Sequence, residues 1–341
     1  MDDTYKRVVL ARYLDGMPQP ADFRIEETPM PVLAEGQCLV RNVFASLDPG
    51  TRSRLSKGPS YAPPLSLGDT VGAFNIGVVE QSRNPRFDEG DLLACAFGWA
   101  EYGVTDGRGF VAKITDRDVP LSAWIGVLGV PGMTAYFGLK RVGALAPGQT
   151  VVVTSAAGMV GATAGQIAKL HDCRVIGVAG GPTKCAWLTD AAGFDAAIDY
   201  KSVGDLTEAV RAACPDGVDI LFDNVGNRSV DAILPLMNMR GRIVVSGQVG
   251  DYNLAPEDVH GVRNTRPFIT HRVRMEGLVV FDDIRQFPEA QRQVADWLKA
   301  DRLIYRERIY DGVAAAPGGF RDVFEGVDFG RHLVRLGPDP A

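Results

Sequence analysis

The residues best suited to chemistry are small side chains at the end of an apolar run. Val151–Val153 reads as a buried strand, and an amphipathic helical pattern begins near Val160. Between them, Ala156, Gly158 and Gly161 have the spacing of a dinucleotide-binding fingerprint with alanine in the first place. The first position needs a tight turn, the second lets the backbone approach a pyrophosphate, and the third lets the helix pack closely on the strand.

This fingerprint is a weak signal alone, because glycine-rich turns also occur for packing reasons. A second strand candidate, Cys173–Ala179, arrives one helix later and completes a βαβ unit of ordinary size. The turn, which includes Met159 and Val160, is therefore predicted to bind a dinucleotide phosphate at the positive end of the helix.

The residues after the second strand indicate which nucleotide is bound. NAD-binding proteins usually carry Asp or Glu here to bind the ribose 2′-hydroxyl. This chain has Gly180 and Gly181, followed by Lys184. A missing acid and a nearby cation favour a 2′-phosphate, so we predict NADP(H) as the cofactor. Lys184 is also compatible with a solvated position on the next helix, and the pattern alone leaves both interpretations open.

Length and composition indicate a soluble globular chain. Its 341 residues suffice for two domains, and 46% are hydrophobic and 23% charged. The net charge of −6 and the absence of a basic run predict no nucleic-acid partner. No apolar run approaches a membrane span, and Met1–Thr4 is not followed by the apolar core of a signal peptide. A cytoplasmic protein with no membrane contact is expected.

The cysteines and histidines predict no metal site. A catalytic zinc needs about three protein ligands and a structural zinc needs four. Residues 1–125 contain only Cys38 and Cys95 and no histidine, and none of the five cysteines forms a pair with metal-ligand spacing. The odd cysteine number also favours a reduced compartment.

The order of the predicted elements indicates two kinds of domain. Residues 5 to 120 read as mostly β, whereas strands and helices alternate from about Trp124 onward. That alternation predicts an α/β fold with a doubly wound parallel Rossmann sheet. Its six strand candidates are Val151–Thr154, Arg174–Val178, Ala197–Ile198, Val218–Phe222, Arg242–Ser246 and Met275–Val280. A long helix, Asp283–Ala300, should close this domain, and the tail should contain short strands around Gly318–Gly319 and Gly330.

Five stretches make the chain resemble the zinc-independent medium-chain dehydrogenase/reductases. They are Ser46–Pro49, Gly129–Leu139, Ala156–Gln166, Phe222–Gly226 and Gly241–Ile243. The resemblance covers nearly the whole chain and is greatest to the branch of leukotriene B4 dehydrogenase/prostaglandin reductases, plant alkenal double-bond reductases and bacterial curcumin reductase. It implies a GroES-like β-rich domain over residues 1–125, a Rossmann NADP-binding domain over 126–298 and a C-terminal return over 299–341.

The resemblance also implies roles for single residues. Lys184 and Tyr200 would hold the 2′-phosphate, Asn224 would lie near the cofactor ribose, and Met133 and Thr134 would border the nicotinamide. The remaining residues of the predicted site are Gly181 and Ser246 for the cofactor and Tyr252 for catalysis. From the residues alone, a structural role is favoured for both, with Tyr200 as a half-buried tyrosine at a strand end and Tyr252 as a loop tyrosine.

Two motifs depart from the branch. Gly50 stands where the family often has an aromatic residue, and Asp328–Arg331 replaces the usual Asn-x-Gly-Lys. No cofactor contact is therefore carried over to Asp328.

The resemblance implies an NADPH-dependent reductase of carbon–carbon double bonds conjugated to a carbonyl, with hydride going to the β-carbon of a small enone. The alternatives are a zinc-independent alcohol/ketone dehydrogenase or quinone reductase, and a non-enzymatic nucleotide-binding protein. A homodimer is expected, with Gly277–Phe281 as the paired edge strand, although the same segment is compatible with an interior strand of a monomer.

Overall fold

The computed structural model describes residues 3–57, 60 and 62–339. Met1 and Asp2, on which the expectation about the N-terminus partly rests, lie outside the described residues. Contacts divide the chain into two compact units, one of residues 1–125 with 307–341 and one of residues 126–306. The second unit extends past the predicted boundary at residue 298, because the Gln166 side chain accepts from Ile304 N–H at 2.8 Å and donates to its carbonyl at 2.9 Å.

The first unit is mainly antiparallel β-sheet. Its strands are β1 (Thr4–Leu10), β2 (Phe23–Pro29), β3 (Cys38–Ser46), β4 (Asn75–Ser82), β5 (Leu92–Cys95), β6 (Tyr102–Thr105), β7 (Val111–Lys113), β14 (Glu307–Asp311) and β15 (Arg331–Arg335). β1 pairs with β2, and the larger sheet has the order β14-β15-β3-β4-β5-β7 with β6 on β3. Because β15 pairs antiparallel with β3, the C-terminal segment completes the sheet of this unit.

Short helices connect these strands. The 3₁₀ turns are Pro20–Asp22, Pro49–Arg54, Leu121–Ile125 and Val313–Ala315, and the α-helix, α8, spans Ala316–Glu325. The strand predicted around Gly318–Gly319 is therefore wrong. Pro317 stands in the first turn of α8, where its missing N–H costs nothing, and Phe320 on the same helix is fully buried. Burial of this apolar face outweighs the low helix propensity of the two glycines.

The second unit contains the predicted doubly wound sheet. Its strands are β8 (Thr150–Thr154), β9 (Arg174–Ala179), β10 (Ala196–Asp199), β11 (Val218–Asp223), β12 (Met237–Val245) and β13 (Arg274–Gly277). All pairs are parallel, in the order β10-β9-β8-β11-β12-β13. The α/β Rossmann prediction and the β-rich first unit are confirmed. The apolar runs Val151–Val153 of β8 and Ile220–Phe222 of β11 are fully buried, as expected for a sheet covered on both faces.

Helices follow the strands of this unit. They are α1 (Val130–Phe137, continued by a π-helical turn Gly138–Val142), α2 (Met159–Leu170), α3 (Pro182–Asp190), α4 (Leu206–Ala213), α5 (Asn227–Ile233), α6 (Arg266–Thr270) and α7 (Phe287–Lys299), with 3₁₀ turns at Leu234–Leu236, Pro256–Asp258 and Val280–Gln286. The closing helix becomes α-helical only at Phe287 rather than at Asp283, because Pro288 is tolerated in the first turn but not further inside a helix.

The last strand of the sheet also differs from the prediction. β13 ends at Gly277, and Val280 already belongs to a 3₁₀ turn, so Gly277–Phe281 is not the edge strand. Leu278 N–H donates to Val245 O at 3.0 Å, and β12 ends at Val245. The hydrogen bonding of this segment to β12 therefore ends at Leu278. The edge itself exists, and Arg274–Gly277 forms it.

The strand order creates a topological switch point between β8 and β11. From β8 the chain builds outward through β9 and β10, then crosses back to build β11, β12 and β13 on the other side. Ligands of open α/β sheets bind outside the carboxyl ends of the strands at this position. The candidate site is therefore expected where β8 and β11 end.

Candidate nucleotide-binding site

The fingerprint turn has the geometry that each of its positions requires. Ala156 is fully buried, and its N–H donates to Val178 O of β9 at 3.0 Å, which closes the turn against the neighbouring strand. A Cβ on Gly161 would lie 2.5 Å from Ser155 O, so only glycine permits this approach of α2 to the turn. Ser155 itself has φ +48°, a left-handed conformation that the tight turn imposes.

The space around Gly158 shows that a phosphate fits against this turn. It caps α2, and a Cβ there would meet only Ser155 atoms, at 3.3 and 3.4 Å, so its other side is open. Met159, Val160 and Gly161 follow as the first turn of α2, where backbone N–H groups have no acceptor within the helix. An open glycine before unpaired N–H groups and a positive helix end fits a bound diphosphate.

A buried carboxylate ties together the strand ends around this turn. Asp223 ends β11 and is fully buried. Its Oδ1 accepts from the Thr154 hydroxyl at 2.7 Å, and its Oδ2 accepts from Gly226 N–H at 2.9 Å. Its main-chain oxygen accepts from Ser246 N–H at 2.9 Å. One residue thus joins the end of β8, the loop before α5 and the residue after β12.

The predicted residue Asn224 belongs to the same network. Its N–H donates to Thr154 Oγ1 at 2.9 Å, and its side-chain amide donates to Thr154 O at 2.8 Å. The amide is therefore held at the end of β8, beside the fingerprint turn. Ser246 contributes its backbone N–H to the network, and none of the described hydrogen bonds in it involves the Ser246 side chain.

Tyr252 lies on a loop attached to Asn224. Val249 N–H donates to Asn224 O at 3.1 Å, and within the loop Gln248 N–H donates to the Tyr252 hydroxyl at 3.3 Å. The hydroxyl also lies 3.7 Å from the position that a Cβ on Gly247 would take. Burial raises the pKa of Tyr252, so the phenol remains protonated at neutral pH. An accepting hydroxyl keeps its own hydrogen for donation to another group.

The end of the sheet beyond β9 carries the residues predicted for the 2′-phosphate. Gly181 has φ +96° and caps α3, and its N–H donates to Asp199 Oδ1 at 2.8 Å. Tyr200 is 52% exposed, and its N–H donates to Ala179 O at 3.1 Å. Lys184 lies in the first turn of α3 and is partly buried. The Tyr200 ring lies beside Gly180, 2.9 Å from the position that a Cβ there would take, next to the place where an NAD-binding protein carries its acid.

Met133 and Thr134 lie on α1, which packs against α2. Met133 is fully buried, and the Thr134 hydroxyl donates to Val130 O at 2.8 Å inside its own helix. Met133 thus packs in the core, and Thr134 makes a hydrogen bond within its own helix. The position of both residues at the nicotinamide stays a prediction.

Asp223 is the site residue that sequence reasoning missed. The sequence assigns it only to the Phe222–Gly226 motif, because an aspartate between Phe222 and Asn224 gives no sign that its side chain is buried. The available signal was its position directly after the apolar residues Ile220–Phe222 at the end of β11, at the switch point, where a buried acid must find donors.

The two departures from the family pattern lie in the first unit. Gly50 is in the 3₁₀ turn Pro49–Arg54, and Asp328 Oδ1 accepts from Phe329 N–H at 2.8 Å. Arg331 is 3% exposed and pairs through Nη1 with Asp48 Oδ1 at 2.6 Å. Asp48 also accepts from the Ser46 hydroxyl, so the Ser46–Pro49 motif and the C-terminal motif are joined by a partly buried ion pair.

In the parts of the chain with described structure, no group of three His, Cys, Asp or Glu side chains is arranged to hold a metal ion. Within the same parts, no helix combines the length and apolar character needed to cross a bilayer.

Comparison with known proteins places this geometry in a family. Residues 6–113 match the N-terminal domain of oxidoreductases, and residues 160–299 match the zinc-binding dehydrogenase family. The NADPH-dependent curcumin reductase of Escherichia coli (strain K12) is 40% identical over 98% of this chain and 97% of its own length. The chain belongs to the zinc-independent medium-chain dehydrogenase/reductases.

Two further relatives support the same placement of this medium-chain dehydrogenase/reductase. The NADP-dependent 2-alkenal reductase of Nicotiana tabacum is 38% identical over 97% of both chains. The crystal structure of CurA from Vibrio vulnificus in complex with NADPH superposes with a TM-score of 0.92 at 34% identity, covering 98% of this chain and 100% of the other.

Asp223 makes the stability of this reductase depend on pH. Burial raises the pKa of its carboxyl from the ordinary 3.8 to about 6, so the folded chain binds this proton more tightly than the unfolded chain. Stability from this group is fully present below about pH 4 and is lost as the pH rises through about 6.

We expect Asp223→Asn to remove that part of the pH dependence. The variant should lose about 1–3 kcal/mol, because the Thr154 and Gly226 donors lose a matched acceptor. The difference in Tm between wild type and variant should narrow from about pH 4 to about pH 6.5 in a thermal-shift series. Asp216→Asn, at an exposed turn position of the same unit, is the control and should keep Tm close to that of wild type across the series. Parallel Tm curves for wild type and Asp223→Asn would contradict this role of Asp223.

Proposed function

We propose that this chain reduces the carbon–carbon double bond of α,β-unsaturated ketones or aldehydes. The chain is an NADP-dependent oxidoreductase, and NADP(H) is its cofactor. The observation that carries the proposal is that relatives matching nearly its full length, at 38–40% identity, are named for curcumin and for 2-alkenals. A 2-alkenal is by definition an aldehyde whose double bond is conjugated to the carbonyl, and curcumin is an unsaturated ketone. One reaction type thus unites relatives with different substrates.

The residues of the second unit would divide the binding of NADP(H) among them. The first turn of α2, from Met159 to Gly161, would bind the diphosphate. Asn224, whose side-chain amide donates a hydrogen bond to Thr154 O, would present its side-chain oxygen to a ribose hydroxyl. Lys184 and Tyr200 would hold the 2′-phosphate.

Tyr252 would act on the substrate carbonyl. Bound NADPH supplies the hydride for the β-carbon. The Tyr252 hydroxyl, which accepts from Gln248 N–H, would donate its hydrogen to the carbonyl oxygen. That bond would strengthen as negative charge develops on the oxygen, which is the condition for an interaction to accelerate the reaction. Burial raises the pKa of the phenol, which therefore stays protonated as a donor. Its hydrogen bond alone would stabilise the enolate, and solvent would protonate the α-carbon.

A steady-state screen with NADPH tests the proposed substrate class. Enones, the corresponding saturated ketones, allylic alcohols and quinones should be compared under one condition, with product identification. We expect turnover of enones to saturated ketones and little turnover of the saturated ketones. Preferred reduction of quinones or of isolated carbonyl groups would favour the alternative zinc-independent reductases instead.

Tyr252→Phe should lower kcat by roughly tenfold to a hundredfold. The variant loses one hydrogen-bond donor to the developing enolate oxygen, whereas the ribose hydroxyl of the cofactor remains as a donor. Its Tm should be compared with wild type, because the phenol also accepts from Gln248 N–H. Tyr200→Phe is the matched control, expected to raise KM for NADPH and leave kcat nearly unchanged. Equal kcat values for wild type and Tyr252→Phe would remove Tyr252 from the mechanism.

We also propose a homodimer through the edge of the second unit's sheet. All four residues of β13 are exposed, and Val279, just beyond it, is 40% exposed. An exposed strand edge pairs readily with a second copy. Val279→Asp should shift the light-scattering mass from two chains toward one at micromolar concentration. Val32→Asp, at a 94% exposed valine of the first unit, should not. A wild-type mass of one chain would refute the dimer.

A further inference from the structure

Gly180 marks the point where two side chains meet over the end of β9. A Cβ on Gly180 would lie 2.9 Å from Cε of Lys201 and 2.9 Å from Cε1 of Tyr200. Both side chains therefore extend back from the end of β10 to the position next to β9 where an NAD-binding protein would carry its acid. The ammonium group of Lys201 is one bond beyond the atom that lies over Gly180.

The backbone around this point is fixed by Asp199. Its Oδ1 accepts from Gly181 N–H at 2.8 Å and from Lys201 N–H at 3.0 Å. Tyr200 N–H in addition donates to Ala179 O at 3.1 Å. These bonds join the turn after β10 to the turn after β9, so the start of the Lys201 side chain has a defined position relative to Gly180.

The same bonds create an electrostatic requirement. The hydrogen bond from Gly181 N–H is the main cause that lowers the pKa of the Asp199 carboxyl, which is therefore ionised at neutral pH. A 2′-phosphate, with about −1.5 to −2 charges, would approach this carboxylate closely. A local cation is needed to offset the repulsion, and one partly buried lysine on α3 matches only part of that charge.

We propose that Lys201 is a third side chain binding the 2′-phosphate of NADP(H), and that it sets the preference for NADPH over NADH together with Lys184 and Tyr200. The proposal rests on NADP(H) as cofactor and is independent of which double bond is reduced. Lys169, near the end of α2, is excluded from this role because its ammonium group binds both carboxylate oxygens of Asp195 at 2.9 Å.

Binding of cofactor fragments tests this role without any turnover. Calorimetric titration with adenosine 2′,5′-bisphosphate and with 5′-AMP isolates the contribution of the 2′-phosphate. Lys201→Gln should weaken the bisphosphate roughly tenfold, the effect of one charge-assisted contact at an exposed site, and leave 5′-AMP within about twofold. Lys169→Gln, the matched control, should bind both fragments as wild type does.

A second variant tests the position itself. Gly180→Asp places an acid where Lys201 and Tyr200 lie, and should weaken the bisphosphate more than Lys201→Gln does while sparing 5′-AMP. In turnover assays Lys201→Gln should raise KM for NADPH about tenfold with kcat and the NADH parameters unchanged. The proposal is overturned if Lys201→Gln binds the bisphosphate like wild type, if it weakens both fragments equally, or if the wild-type protein shows no preference between them. Failure of enone reduction would leave these binding results unaffected.

Discussion

The carboxylate of Asp223 is the interaction on which the candidate site depends. It is fully buried at the switch point of the sheet, and it receives donors from the end of β8 and from the loop before α5. A buried acid without such donors would cost several kcal/mol, so the surrounding chain can take few other conformations. Asn224 is held by Thr154 of this network, and the loop that carries Tyr252 is in turn hydrogen-bonded to Asn224.

The sheet order then distributes the remaining groups. The 2′-phosphate candidates follow β9 and β10 on one side of the fingerprint turn, whereas Tyr252 follows β12 on the other. From β10 to β12 there are four inter-strand steps, or roughly 19 Å at 4.7–4.9 Å each. A ligand spanning that distance must be extended across the carboxyl end of β8. There Gly158 and Gly161 have no side chains that would block its approach to the backbone. The positions agree with a dinucleotide bound from its adenosine end to its nicotinamide end.

Local patterns predicted much of this arrangement, and contacts distant in sequence supplied the rest. The spacing from Ala156 to Gly161 and the apolar runs of β8 and β11 are local patterns, because strand, turn and helix are adjacent in the chain. The partnership of Asp223 with Thr154 and the approach of Lys201 to Gly180 depend on strand pairing, which periodicity does not reveal. The helix around Gly318 was missed because burial of Phe320 outweighs local propensity. The edge strand was placed too late because pairing with β12 ends at Leu278, and the apolar residues from Val280 onward belong to a 3₁₀ turn.

The fate of the hydride tests the central claim most directly. NADPH carrying deuterium at C4 of the nicotinamide should be used with an enone that the enzyme turns over, and the product examined by NMR. The account predicts deuterium on the β-carbon of a saturated ketone or aldehyde, with hydrogen from solvent on the α-carbon. Deuterium on the carbinol carbon of an allylic alcohol would show that the carbonyl is reduced instead, and would contradict the account.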